Sequence, residues 1–569
     1  MFAINVATAC SQDTPSPGQN QTIECSATSS TPITLTMRYG TEKQKWIEDA
    51  VQDFNRRNLK ACDGPIHVNT LLEGSGESMQ KILQGEQTDI WSPAGRIWLS
   101  LLNAEWHKTS GHNSDLVGAT SVDSPALVNT PIVVAMWKPQ AQALSSKPFG
   151  WSDILKLSSQ GWAAYGHPEW KNFQFAHTLP NISNSGLWAV IAEYLAALDQ
   201  LGKKNGLGIA EVQDPQIQGI VASAESSTIY YGESTGFFAQ QMCEQGPNYL
   251  HAAVLYESLV VEMNEGKFSS KCQGQIVALY PKEGTVYSDH PFAIVQGPQM
   301  TNAKRTSALR FYNFLHSPEQ QQKAILYGFR PADRNLPITT PIDSNHGVDP
   351  QQPKTTLPIP SVDIVQAILD SWDHLRRKGA IMLLLDTSGS MNEPVTTEGI
   401  PKIAAAKQGL KEFIGKLSDD DQVGLATFNT TMQVQSPVSP LAPKRQELYN
   451  KIAEISASGD TLLYQSIADQ IDALATLPPN YIKAIVVLSD GNDTISQLTL
   501  DQLLKKIDLN TGNKTRIFPI AYGDQSNSNI EKLQQIAQAT GGRQYTGTPQ
   551  DIQQVYDNIS QFFASYSHN

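Results

Sequence analysis

Apolar and polar positions alternate from Ile33 to Arg38, apolar residues then recur at helical spacing from Glu42 to Asn58, and the alternation returns from Ile66 to Leu72. A period of two marks a half-buried strand and a period of 3.6 marks a helix with one buried face, so this stretch predicts strand, helix, strand. Two later runs differ in kind. Ala380 to Leu385 and Ala484 to Leu488 contain no polar position, as expected of strands in a parallel sheet covered on both faces. Val362 to Lys378 reads as an amphipathic helix, and Ile400 to Leu417 and Leu462 to Leu474 as helices that cover such a sheet. Alternating strands and helices predict an α/β fold throughout.

The clearest break in this pattern is Pro337 to Pro360, where prolines punctuate a polar run too often for a helix. The expected organisation of the 569 residues is therefore an N-terminal tether over 1–31, a first module over 32–336, a linker over 337–361 and a C-terminal module over 362–569.

A net charge of -13, with no basic run longer than Arg376-Arg377-Lys378, excludes general binding to nucleic acid or to anionic lipid. No stretch reaches the roughly 18 to 20 apolar residues of a membrane helix, so membrane attachment would need a lipid anchor. Small residues before Cys10 resemble the end of a bacterial lipoprotein signal, although the basic and most of the apolar parts of such a signal are missing. Cys10 is the candidate lipidation site, with a plain disordered N-terminus as the alternative. The five cysteines have no metal-ligand spacing. With Cys10 set aside, Cys243 and Cys272 are the favoured disulfide pair in an extracytoplasmic compartment, at a cell surface or in a periplasm, against four separate thiols.

Candidate chemistry concentrates in the last third. Asp386 ends the first all-apolar run and opens Asp386-Thr387-Ser388-Gly389-Ser390; Asp490 follows the second in Ser489-Asp490-Gly491; Thr461 lies in Ser458-Gly459-Asp460-Thr461 between them. Parallel strands bind ligands at their C-terminal ends, so both carboxylates reach one functional edge. Hard oxygen donors without Cys or His suit Mg2+ or Ca2+, and Mn2+ could substitute. The Asp-x-Ser-x-Ser string, the later Thr and the later Asp-Gly resemble the metal-ion-dependent adhesion site of the von Willebrand factor A family, over about Lys378 to Tyr566. That resemblance implies a doubly wound, Rossmann-like fold in the order βαββααβαβαβα, with Gln422 to Phe428, Arg516 to Tyr522 and Arg543 to Tyr545 as further strands. It also implies that Ser388 and Ser390 ligate the metal directly, Thr461 directly or through water, and Asp386 and Asp490 largely through waters. The ion then keeps much of its charge for an acidic side chain of a protein partner. The alternative is a metal that only stabilises loops.

Competing enzymatic motifs are weak. A phosphatase-type Asp386 would want a second Asp where Ser388 stands, the P-loop pattern is absent, and Gly232-Glu233-Ser234-Thr235-Gly236 matches a nucleophile elbow by only five letters. The chain is expected to be no enzyme.

In the first module, Tyr39-Gly40-Thr41 before a helix, Leu72 to Ser78, Thr88 to Pro93, Phe149 to Leu155, Asn181 to Leu187 and a helix over Phe311 to Lys323 resemble, in order, bacterial extracellular solute-binding proteins of the bilobal periplasmic-binding type. The resemblance implies a small polar or anionic solute held between two lobes by hydroxyls and backbone N–H groups at helix N-termini. Ser75, Ser92 and Ser185 are the cleft candidates, with helix capping as their alternative role. Thr41, Tyr230 and Glu233 are further candidates. The expected function is a surface-attached binding protein that uses its metal site to hold protein partners; the alternative is the substrate-binding component of an ABC-type transporter, docked through its A-like domain.

Overall fold

The computed structural model describes residues 32–61, 64–110, 113–145, 147–203, 206–232, 234–248, 250–268, 272–394, 400–478, 480–509, 515–523, 527–540, 542–548, 552–560 and 563. Its first strands are β1 (Ile33–Tyr39), β2 (Lys60–Ala61), β3 (Gly64–Leu72), β4 (Ile90–Ser92), β5 (Val128–Trp137) and β6 (Phe175–Thr178). Next come β7 (Thr228–Gly232), β8 (Ala252–Tyr256), β9 (Ile276–Leu279), β10 (Tyr287–Ser288), β11 (Ala293–Ile294) and β12 (Arg330–Pro331). One sheet has the order β11-β4-β1-β3-β2; the other has β10-β5-β8-β6-β7, with β9 and β12 also on β5. Each sheet builds one lobe. The chain leaves the first sheet after β4 and returns to it with β11, which pairs antiparallel with β4. In the first lobe the helix Gln44–Arg56 buries Trp46, Ile47, Ala50, Val51 and Phe54, the stripe that helical spacing predicts.

Three stretches differ from the sequence expectation here. The single helix over Phe311 to Lys323 is two helices, Asn302–Leu315 and Pro318–Leu326. Ser317 caps the second through its hydroxyl and Pro318 occupies its first turn, where a missing N–H costs nothing. The proline-rich 337–361 is no free linker. Ile342 and Val348 are buried, Gly347 O accepts from Ala278 N at 2.8 Å, and Leu357 N donates to Thr285 O at 2.8 Å, so the segment straps the second lobe. The following helix, Val362–Leu375, lies in the stretch that the sequence assigns to the C-terminal module. Its buried stripe of Val365, Ile368 and Trp372 instead faces the second lobe, and its Ser371 hydroxyl accepts from Tyr194 and Gln218. Cys243 and Cys272 are joined as a disulfide at the base of that lobe.

The C-terminal sheet contains β13 (Gly379–Asp386), β14 (Gln422–Phe428), β15 (Met432–Pro440), β16 (Ile482–Ser489), β17 (Arg516–Tyr522) and β18 (Tyr545–Gly547), in the order β15-β14-β13-β16-β17-β18. All pairs are parallel except β14 with β15. Every residue of β13 and of β16 is buried. Ile381, Leu383 and Leu385 pack with Ala406, Leu410 and Phe413 on one face, while Met382 and Leu384 meet Leu463, Ile467 and Ile471 on the other. That two-sided cover is why Ala380 to Leu385 and Ala484 to Leu488 carry no polar position. β18 starts at Tyr545 rather than Arg543, because Gly542 N still closes the preceding helix on Ala537 O.

Candidate metal centre and solute cleft

Strand order reverses direction between β13 and β16, so their C-terminal ends flank the crevice that such sheets leave open at the switch point. Asp386 is the last residue of β13 and Asp490 is the first beyond β16. Asp386 is fully buried; its Oδ1 accepts from Ser388 N at 2.8 Å and its Oδ2 from the Ser489 hydroxyl at 2.7 Å. Ser390 donates to Asp490 Oδ1 at 2.7 Å, which leaves the Ser388 hydroxyl as donor to Ser390 Oγ at 3.1 Å. Two bonds join this loop to the one bearing Thr461: Gly389 N to Gly459 O at 2.9 Å and Ser458 N to Thr387 O at 2.7 Å. Gly459 has φ +83°, and a Cβ there would lie 2.5 Å from Thr430 Oγ1, so both its conformation and its surroundings require glycine. Thr461 is buried, and its hydroxyl lies 3.8 Å from where a Cβ on Gly491 would sit, beside the Asp490 loop. The structure thus brings all five candidate residues to one edge of the sheet.

Three neighbours were not foreseen. Lys402 Nζ contacts Asp490 Oδ2 at 2.8 Å and Glu393 Oε2 at 3.2 Å. Asp493 Oδ1 accepts from Leu463 N and Tyr464 N at 2.7 and 3.1 Å, capping the helix that follows Thr461, and Thr494 Oγ1 accepts from Thr461 N at 2.9 Å. An Asp-Gly-x-Asp-Thr string after a buried strand is the signal that could have found the last two. Burial pushes Asp386 up to about 6, against the opposing bonds from Ser489 and Ser388, and the nearby charge of Asp490 adds to the rise. For Lys402, burial alone lowers the value, but Asp490 and Glu393 outweigh it and the net shift is upward. The donor set of two carboxylates and three hydroxyls fits a hard divalent cation. Asp386, costly to ionise where it sits, gains most from one.

A second site lies between the lobes, a cleft of about 560 Å³. Thr41 lines it. Ser75, Ser92 and Ser185 do not. Ser75 Oγ accepts from Ala94 N at 3.0 Å, Ser185 Oγ sits between the hydroxyls of Thr178 and Thr235 at 2.8 and 2.7 Å, and Ser92 is wholly buried with its hydroxyl turned inward. The Tyr230 side chain and Glu233 lie outside the described residues. The cleft instead presents charges of both signs, among them Glu73, Glu77 and Glu262 against Lys45 and Lys267. Lys45 pairs with Glu262 across the lobes at 2.6 Å and lies 4.2 Å from the centre of the Phe268 ring. Arg543, from the C-terminal module, also lines this cleft and stacks over Phe237 at 5.1 Å.

A model of the family described as bacterial extracellular solute-binding protein matches residues 35–330, more than half of the chain. The chain belongs to that family. A second model, the von Willebrand factor type A domain, matches residues 380–561. The solute-binding family points to an extracytoplasmic location, both families are generally non-enzymatic, and von Willebrand factor A domains commonly bind a divalent metal. Among curated proteins, the solute-binding chain is 26% identical over 193 residues to inter-alpha-trypsin inhibitor heavy chain H2 of Sus scrofa, a match of 32% of this chain and 20% of that one. It is 22% identical over 365 residues to an uncharacterized protein of Mycobacterium tuberculosis, covering 63% of this chain and 49% of the relative. The chain therefore spans a fifth to about half of these relatives. Of solved structures, a periplasmic thiamin binding protein is similar at 15% identity and a TM-score of 0.42, over 61% of this chain and 98% of its own. A sulfate-binding protein of Mycobacterium tuberculosis H37Rv is similar at 16% and 0.37, over 54% and 88%. A von Willebrand factor type A protein from Catenulispora acidiphila is similar at 19% and 0.28, over 33% and 42%.

Proposed function

We propose that this protein is a surface-attached binding protein that holds Mg2+ through Ser388, Ser390, Thr461, Asp386 and Asp490 and uses the ion to capture an acidic side chain of a protein partner. The observation that carries the reading is the convergence of these oxygens at the ends of β13 and β16. When bound, the cation supplies a positive charge that a partner's carboxylate can complete. The chain's own work is positioning. Asp386 orients the first loop through Ser388 N, Ser390 is held by Asp490, and Asp493 and Thr494 fix the loop that presents Thr461. Lipid on Cys10, outside the described residues, is the proposed means of attachment. The interlobe cleft is proposed to hold a small polar solute whose groups match charges of both signs, which also supports the transport-component reading.

The test is capture of envelope proteins by the full chain in Mg2+ and in EDTA. Recovery that depends on Mg2+, is lost in Asp490→Ala and persists in Asp460→Ala supports the adhesive role. Recovery unchanged by EDTA, or equal in the two variants, overturns it.

A further inference from the structure

Outside both sites, three ionisable side chains meet in the interior of the second lobe. They are His177 on β6, Glu193 in the helix Asn184–Gln200 and Glu225 at the end of the helix Pro215–Glu225, each with 0% exposure. One potential ligand atom from each lies within 4.8 Å of the other two. Glu225 is well satisfied. It accepts from the Tyr231 hydroxyl at 2.5 Å and from Trp372 Nε1 at 2.7 Å, and its Oε1 lies 3.2 Å from His177 Nε2. His177 Nδ1 is 2.7 Å from the Thr178 carbonyl oxygen, which can only accept, so that nitrogen carries a hydrogen and Nε2 can offer a lone pair. A backbone acceptor behind one ring nitrogen is how metal-binding histidines are oriented. Glu193 is the anomaly: both of its carboxylate oxygens are buried without a hydrogen-bond partner. A carboxylate left so in an apolar lobe is expensive unless something neutralises it.

We propose that His177, Glu193 and Glu225 form a buried binding site for a divalent first-row transition ion, with Tyr231 and Trp372 orienting Glu225 from behind. One imidazole nitrogen and two carboxylates suit Zn2+, Mn2+ or Co2+ better than the all-oxygen set at the sheet edge. The 3.2 Å between His177 Nε2 and Glu225 Oε1 subtends roughly 100° at an ion about 2.1 Å from each, as neighbouring ligands should. The two oxygens of Glu193 supply the remaining donors, and two carboxylates against a 2+ charge leave the core neutral. Trp372 sits on the helix that leads into the C-terminal module, so the ion would also lock Glu225 against the joint between modules. The competing arrangement keeps a proton instead: Glu193, driven upward by burial and by the charge of Glu225, holds it and shares it with Glu225.

The full chain, produced in medium with Co2+ and exchanged into excess Mg2+ to fill the oxygen site, distinguishes the two. The site predicts about one Co2+ retained per chain, with 14N hyperfine coupling from an imidazole that the sheet-edge site does not contain. Glu193→Gln mimics the protonated acid, so it should fold with the parent's metal-free melting temperature and yet lose Co2+ at least about tenfold; His177→Gln should lose it likewise. Absence of nitrogen coupling in the unsubstituted chain, or equal Co2+ retention by Glu193→Gln, overturns the proposal in favour of the shared proton, whether or not either variant folds.

Discussion

Replacing Asp386 by asparagine should stabilise the metal-free protein at neutral pH while abolishing its response to Mg2+. The buried carboxyl titrates at about 6 rather than near 3.8, and a displacement of that size corresponds to about 3 kcal/mol between its protonation states. The folded value lies above the unfolded one. The stability tied to this group is therefore complete below about pH 4, is lost as pH rises through about 6, and stays lost at pH 7. Asparagine carries no charge at any of these values, and the Ser489 hydroxyl that now donates to Asp386 Oδ2 can turn to Gly491 O, 3.2 Å away, and accept from the new amide. In EDTA at pH 7, scanning calorimetry should place the C-terminal module's transition roughly 6 to 12 °C higher in Asp386→Asn than in the parent. The gap should close below about pH 4. In Mg2+ at about one thousand times the dissociation constant the order should reverse, since only the parent gains the roughly 4.1 kcal/mol expected there, more than the about 3 kcal/mol that separates the two in EDTA. A variant less stable than the parent by the same amount at every pH in EDTA would refute the reasoning, because it would make Asp386 a structural anchor that does not need a cation.

Ser388→Ala and Thr461→Ala should each weaken Mg2+ binding in a calorimetric titration without moving the EDTA melting temperature, whereas Asp460→Ala should leave the affinity within about twofold. Lys402→Gln removes an ammonium held 2.8 Å from Asp490, so it should tighten Mg2+ roughly tenfold, about 1.4 kcal/mol; weaker binding would mean that Lys402 orients Asp490 more than it competes. Cys243 and Cys272 should resist alkylation until reduced. Serine at both, removing a crosslink between positions 29 residues apart, should cost about 3 to 4 kcal/mol in urea unfolding of the first module.

The sequence made legible what depends on neighbours along the chain. The all-apolar runs within β13 and β16 stand out because both faces are covered, and a carboxylate after each run is enough to locate the crevice. Lys402 was missed because its partner Asp490 is 88 residues away and the lysine itself begins an ordinary amphipathic helix. His177, Glu193 and Glu225 were missed for a related reason: His177 and Glu193 are lone ionisable letters beside apolar residues, Glu225 stands among serines, and only the packing of the fold puts them together. The serines of the first module failed in the opposite direction. A hydroxyl before a helix has the same letters whether it faces a cleft or, like Ser185, bonds to Thr178 and Thr235 inside. Prolines exclude an α-helix from 337–361 but do not prevent that segment from lying along β9 and the strand ends near it.

The junction between modules also settles the fate of an open sheet margin. Among the described residues β7 is the last strand of its sheet and pairs with β6 alone. An uncovered margin offers backbone groups to any extended chain that drifts past, the usual beginning of edge-to-edge aggregation. Here guanidinium groups from beyond the junction occupy it: Arg377 donates to Thr228 O at 2.7 Å and Arg516 donates to Ile229 O at 2.8 Å. Arg377 also grips Asn480 O and Tyr481 O, so one side chain staples the margin to the loop that enters β16. Severing the chain near residue 361 would strip both arginines away and leave the first module with a sticky flank. The C-terminal module thus serves its neighbour as a fitted guard against self-association, whatever it binds at its far edge.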